Sequence, residues 1–144
     1  MAEKTLIIRK EDATSPELKP LSKLKPYERN PRYIKSTDFE ILKRSLQEDP
    51  EMLWLRPIVV SQKDEATIIG GNQRYHALKE LGVKEVPVAV SKMSPEKERR
   101  FVIKDNTLLG EWEYQMLLED YRKEELEEMG WHDDREEITE DMEE

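Results

Sequence analysis

The chain has 144 residues, 36% hydrophobic and 40% charged, with a net charge of -9 and no cysteine. That length supports one domain with a single core, and the excess of charge predicts that part of the chain is solvated. The missing thiols exclude disulfides, thiolate metal sites and cysteine nucleophiles, and His76 and His132 are too few for a multi-imidazole site. No apolar run approaches a membrane span, and the charges on both sides of Leu6-Ile7-Ile8 do not read as a signal peptide, so a cytoplasmic protein is expected.

Charge is unevenly spread along the chain. Residues 19–104 carry eighteen basic and twelve acidic side chains, a net of +6, whereas residues 105–131 and 132–144 carry -7 each. A mildly basic unit between acidic flanks keeps DNA among the candidate partners despite the overall acidity.

Residues 1–17 read as a flexible N-terminal arm. Leu18, Leu21 and Leu24, set among Pro20 and Pro26, predict an extended edge segment. In YERNPRY, Asn30-Pro31 predicts a turn that presents Arg29 and Arg32. Thr37 as N-cap and Glu40 have capping-box spacing, and Phe39, Ile41, Leu42 and Leu46 predict a helix stopped by Pro50. Residues 57–61 and 67–69 predict two strands joined by a polar turn, the second ending at Gly70-Gly71. Tyr75, Ala77, Leu78 and Leu81 mark a helix closed by Gly82.

Residues 86–90 form a third predicted strand, in which Pro87 points to an edge or a strand start. Ser94-Pro95-Glu96 opens another helix, with Phe101, Val102, Ile103 and Leu108 on its apolar side. After Gly110, one or two further helices run to Gly130. The expected partition is an arm (1–17), an α+β domain (18–92), a helical C-terminal extension (93–131) and an acidic disordered tail (132–144).

The stretch with chemistry in it is Thr67-Ile68-Ile69-Gly70-Gly71-Asn72-Gln73-Arg74. A strand that meets two glycines and then a helix start lets the backbone approach a ligand and points unpaired N–H groups at it. Arg74 adds a fork-shaped cation suited to phosphate oxygens. A plain tight turn, with Asn72 as helix cap and Arg74 solvated, is the simpler alternative. No Gly-Lys-Ser/Thr follows, so the stretch is not a Walker motif.

Secondary candidates are His76, one helical turn beyond Asn72, and Arg29 with Arg32 as contacts to a phosphate or DNA backbone. Asp105 and Asn106 are hard oxygen donors for a divalent ion beside a phosphate. Trp54, Trp112 and Trp131 read as packing residues, with base stacking as the alternative.

GGNQRYHALKELG, between a strand and the VPVAV strand, resembles the signature of the ParB/sulfiredoxin superfamily. LKPYERNPR resembles that superfamily's opening and PIVV its following strand, so the likeness runs from about Leu18 to Val90. FVIKDNTLLGEW further resembles ParB-like proteins of phages and mobile elements. The resemblance implies a small α+β fold with a mixed sheet and helices, followed by the helical C-terminal lobe. It also implies a nucleotide triphosphate with Mg2+ bound at Gly70, Gly71, Asn72, Gln73, Arg74, Asn30 and Arg32, DNA as a partner, and NTPase or nuclease activity.

Two departures narrow this. Asn72 and Gln73 stand where sulfiredoxins resemble Cys-His, and an amide is no nucleophile, which excludes sulfinic acid reduction. Chromosomal partition proteins resemble Gly-Glu-Arg-Arg at this turn and continue into a DNA-reading domain. This chain reads Gly-Asn-Gln-Arg and turns acidic after Lys104, so faithful centromere clamping is not expected. The competing reading is a non-catalytic protein-binding module that uses the acidic helical lobe.

Overall fold

The computed structural model describes residues 5–30, 34–107 and 109–133. Four strands form one mixed sheet: β1 (Glu17–Pro20), β2 (Ile58–Val60), β3 (Ile68–Gly70) and β4 (Glu85–Val90), in the spatial order β1-β4-β2-β3. β1 runs antiparallel to β4, β3 antiparallel to β2, and β2 parallel to β4. A parallel pair cannot be closed by a tight turn. Here β3 and the helix α3 (Asn72–Glu80) make the crossover between β2 and β4.

The strand at residues 86–90 is therefore interior, which overturns the edge reading of Pro87 and leaves the strand-start one. The register explains the tolerance. Val90 N–H bonds the Thr14 hydroxyl on the β1 side, whereas Ser91 N–H bonds the Val60 carbonyl on the β2 side. By alternation the Pro87 nitrogen faces β2, one step before that ladder begins at the Ile58–Val88 pair, so no sheet bond is lost. The later part of the expected N-terminal arm also lies along β4: Lys92 N–H donates to Asp12 O, Thr14 N–H to Val90 O, and Ala13 bridges Ser91.

Helices α1 (Ser36–Glu48) and α2 (Met52–Leu55) precede β2. The predicted cap at Thr37 is not used. Phe39 N–H already bonds Lys35 O, so helical bonding starts two residues earlier and Lys35 takes the N-cap position. The single turn α2 was not foreseen, because MLWL carries no cap and is too short to show a period.

Leu46 of α1, Leu53 of α2 and Tyr75, Ala77 and Leu78 of α3 pack with Ile58, Val60, Ile68, Val86, Val88 and Val90 into one core. Ile69 and Ala89 point to the opposite face and are buried as well, as neighbours along a strand must be when both faces are covered. Truncating Leu46 or Ile58 to Ala would cost about 2–5 kcal/mol, the range for a core cavity.

The C-terminal part consists of α4 (Pro95–Asn106), α5 (Tyr114–Asp120) and α6 (Lys123–Glu128). Ser94 caps α4 as expected, its hydroxyl accepting from Lys97 N–H. Leu108 lies outside the described residues. The Glu125 carboxylate accepts from Arg122 N–H at the start of α6. Gly130, at φ +100°, then reverses the chain so that Trp131 N–H reaches Leu126 O. This turn seats the lobe on α1: a Cβ at Gly130 would lie 3.3 Å from Ile41 Cγ2. Trp131 is buried against Tyr114, ring centres 6.0 Å apart, which is packing and not an open stacking platform. Among the described residues, no helix is long and apolar enough to cross a membrane.

Candidate functional site

The site begins where β3 ends. Gly71 holds φ +98° and serves as the N-cap of α3, a conformation that costs a side-chain-bearing residue about 1–2 kcal/mol. Space is a second constraint, because a Cβ here would sit 2.8 Å from Arg74 Nη2. The guanidinium thus folds back over the turn, and Nη2 donates to the Pro57 carbonyl at 3.1 Å. Arg74 is held at the helix start, where the partial positive charge of the dipole adds to its own.

Asn72 does not cap the helix as the sequence suggested, since Gly71 occupies that position. Its buried amide works as a staple. Oδ1 accepts from Tyr27 N–H at 2.8 Å, and Nδ2 donates to Ile68 O at 3.3 Å. The segment before Asn30 is fixed from its other end by a parallel bridge to β3, with Lys25 N–H on Ala66 O and Ile68 N–H on Lys25 O. These bonds bring Asn30 to the glycine turn.

From the opposite side α4 lies over Gly70. A Cβ there would meet Phe101 Cε1 at 3.1 Å and Asp105 Oδ2 at 3.3 Å, so the glycine is what allows α4 to sit this close. The base of α4 is anchored by Glu98, a buried carboxylate that accepts from the Ser61 hydroxyl (2.6 Å) and from Gln62 N–H (3.0 Å). Asn106 Nδ2 bonds the Val102 carbonyl.

These elements enclose a cleft of about 220 Å³. Asn30, Gly71, Asn72, Gln73, Arg74, Asp105 and Asn106 form its polar wall, together with Arg56. Ile34, Leu42, Leu46 and Met52 line the apolar side. Residues separated by more than seventy positions thus converge on one opening. Gly70, which the resemblance placed in the site, does not line the cleft. His76 is exposed and absent from the lining, its ring edge-on to Tyr75 at 5.2 Å. Arg29 lines a different hollow, beside Lys25, Asp64 and Thr67. Arg32 lies outside the described residues. Arg56 was missed: it follows the unforeseen α2, and a lone arginine before a proline gives no signal. Among the described residues, no three His, Cys, Asp or Glu side chains gather as a metal site.

A profile of the ParB N-terminal domain matches residues 8–107. No curated protein matches the chain. Among solved structures, the C-terminally truncated chromosome-partitioning protein ParB from Caulobacter crescentus, complexed with CTP-gamma-S, superposes with a TM-score of 0.59. The match is at 22% identity and covers 81% of this chain and 71% of that one. The same protein complexed to the centromeric parS site gives 0.52 at 24% identity, covering 81% of this chain and 65% of that one. At such identities the likeness shows the fold. The domain match spans more than half of the chain and covers the strand–glycine–helix turn, and so the chain belongs to the ParB N-terminal domain family.

Proposed function

We propose that the cleft binds the phosphates of a nucleoside triphosphate together with Mg2+, in a ParB-like protein that also associates with DNA. The observation that carries this reading is the convergence of the Gly71–Arg74 helix start, Arg56 and Asn30 on one opening. Helix N-terminal amides and two guanidinium groups form an anion site of the kind that phosphates favour. The volume of about 220 Å³ falls below that of pockets enclosing a whole drug-sized ligand, so the cleft takes the phosphate end and leaves the rest toward its mouth. The ParB relative complexed with CTP-gamma-S makes CTP the first nucleotide to test, and the relative on parS supports the DNA association.

Asp105 gives the metal its place in this reading. A carboxylate beside a phosphate cradle repels the ligand unless a cation lies between them. Mg2+ is commonly held by one or two carboxylates plus phosphate oxygens, which Asp105 with Asn106 or Asn30 would satisfy. Bound there, the ion would neutralise the phosphates. We place hydrolysis of nucleotide or DNA second to binding, because in-line attack needs a positioned base and Asp105 is the one carboxylate lining the cleft among the described residues.

The partner-module reading stands second, favoured by exposed Leu109, Trp112 and Met116 in the acidic lobe. Isothermal titration with CTP, ATP and GTP, each with Mg2+, separates the two. Saturable binding of at least one triphosphate is expected, and silence with all of them would favour the partner module.

A further inference from the structure

Away from the cleft, the outer side of α4 is a row of cations. Lys97, Arg99, Arg100 and Lys104 are all exposed, and none forms an ion pair among the described residues. Lys97, Arg100 and Lys104, at i, i+3 and i+7, share one stripe along the helix, with Arg99 beside it. The acids of α4 are placed otherwise. Glu98 is buried against Ser61 and Gln62, Asp105 lines the cleft, and of the acids Glu96 alone shares the outer side. Four cations against one acid leave that side at +3.

Helix stability does not account for the row. Lys97 stands in the first turn, where the dipole disfavours a cation. Glu96 and Arg100, though spaced for pairing, form no ion pair among the described residues. Elsewhere the pattern differs: Lys43 is held by Glu40 and Glu80, and Lys79 and Lys84 each precede a glutamate. The row also has a telling length. Lys97 and Lys104 stand about 10 Å apart along the helix axis, which is the axial rise of about three nucleotides of one DNA strand.

Lipid is a poor fit to this side. A helix lying on a membrane turns its apolar face to the acyl chains, whereas Val102 is buried in the domain and Phe101 lies over Gly70. Reading of bases is excluded by the same packing. The major groove is about 12 Å wide and a helix with its side chains fills about 10–12 Å, so a reading helix must stand free. α4 is embedded along its length by Glu98, Phe101 and Val102. Its cations therefore meet phosphates from outside the groove.

Given the DNA association proposed above, we infer that duplex DNA rests along the outer side of α4, held by its phosphates on Lys97, Arg99, Arg100 and Lys104. The contact is independent of sequence, because no side chain of this face reaches a base edge.

Fluorescence anisotropy of the full chain with two short labelled duplexes of unrelated sequence, across a salt series, tests this. The wild type is expected to bind both alike, with log K falling against log salt at a slope of about -3.6, as four phosphate contacts require. The Lys97→Gln/Arg100→Gln/Lys104→Gln variant should bind about tenfold or more weakly, with a slope shallower by about 3. Lys23→Gln/Lys79→Gln/Lys84→Gln removes equal charge from exposed positions elsewhere and should keep the wild-type slope. Arg99→Gln/Arg100→Gln, with a slope shallower by about 2, replaces the first variant if circular dichroism shows it unfolded. Equal losses from both triple variants, an α4 variant that binds like the wild type, or a preference for one duplex would overturn this surface while the DNA association stands. A wild type that binds neither duplex, or binds phosphatidylserine vesicles only, would remove the association and the surface together.

Discussion

At the scale of single residues, the account rests on Gly71, Arg74 and Asp105. Gly71→Ala should destabilise the fold by about 1–2 kcal/mol in chemical denaturation, the cost of a left-handed conformation, and displace Arg74 as well. Arg74→Ala should weaken triphosphate binding by ~1.5–3 kcal/mol, the range of a charged hydrogen bond, measured by calorimetry. Asp105→Asn should act in the opposite sense without metal: binding in EDTA improves and the gain on adding Mg2+ shrinks. Unchanged metal dependence in that variant would remove Asp105 from the site.

Asp64, outside the cleft, supplies a pH signature. Burial pushes its carboxyl up, but the Thr67 hydroxyl, the Thr67 and Ala66 amides and nearby Lys25 outweigh it and bring it from 3.8 down to about 2. A lowered carboxylate stabilises the fold above its unfolded value, and that stability is lost as pH falls through the folded one. The wild type should therefore exceed Asp64→Asn by about 1 kcal/mol or less near neutrality, discounted for the group's exposure, and the gap should close between pH 4 and pH 2. A gap that persists at pH 2 would contradict the assignment.

At the scale of elements, α4 links stability to the site. Its Glu98 end is clamped to the β2–β3 turn and its Asp105 end lines the cleft. Glu98→Ala should cost about 2–3 kcal/mol, because two charge-assisted bonds are lost and the Ser61 hydroxyl is left buried without this acceptor. It should also weaken nucleotide binding, although Glu98 does not line the cleft. Loss of stability with unchanged affinity would show that α4 is not what positions Asp105.

Local signals were legible wherever the chain punctuates itself: the Gly70-Gly71 stop before α3, the Ser94 cap, Gly82 and Gly130 as helix ends. Asp105 and Asn106 were singled out from their residue types and Asn30 from the family resemblance, but their meeting depends on the Lys25 bridge and on Glu98, neither of which leaves a mark in the sequence. The edge reading of Pro87 misled because a proline's effect depends on which neighbour its nitrogen faces. Thr37 misled because its capping-box spacing lies within a helix that had already started. Asn72 was legible as an important position but not as a staple, since Tyr27 is forty-five residues away.

At the scale of the whole molecule, charge separation governs the expected association with DNA. The basic stretch 19–104 would meet the phosphates, and residues 132–144, with a net charge of -7, would compete for it. Deleting 132–144 should tighten binding at low salt, and raising salt should weaken it steeply, as counterion release requires. A deletion that leaves affinity unchanged by fluorescence anisotropy would show that the acidic end does not shield this face. The central claim, that one cleft between α1, α3 and α4 receives the phosphates, is tested most directly by amide NMR shifts during titration with CTP and Mg2+. The account predicts the largest changes at Gly71, Asn72, Gln73, Arg74, Asn30 and Asp105, with little movement at Asp64 or Lys79. Absent shifts, or shifts centred on the Lys25–Asp64 hollow instead, would contradict it.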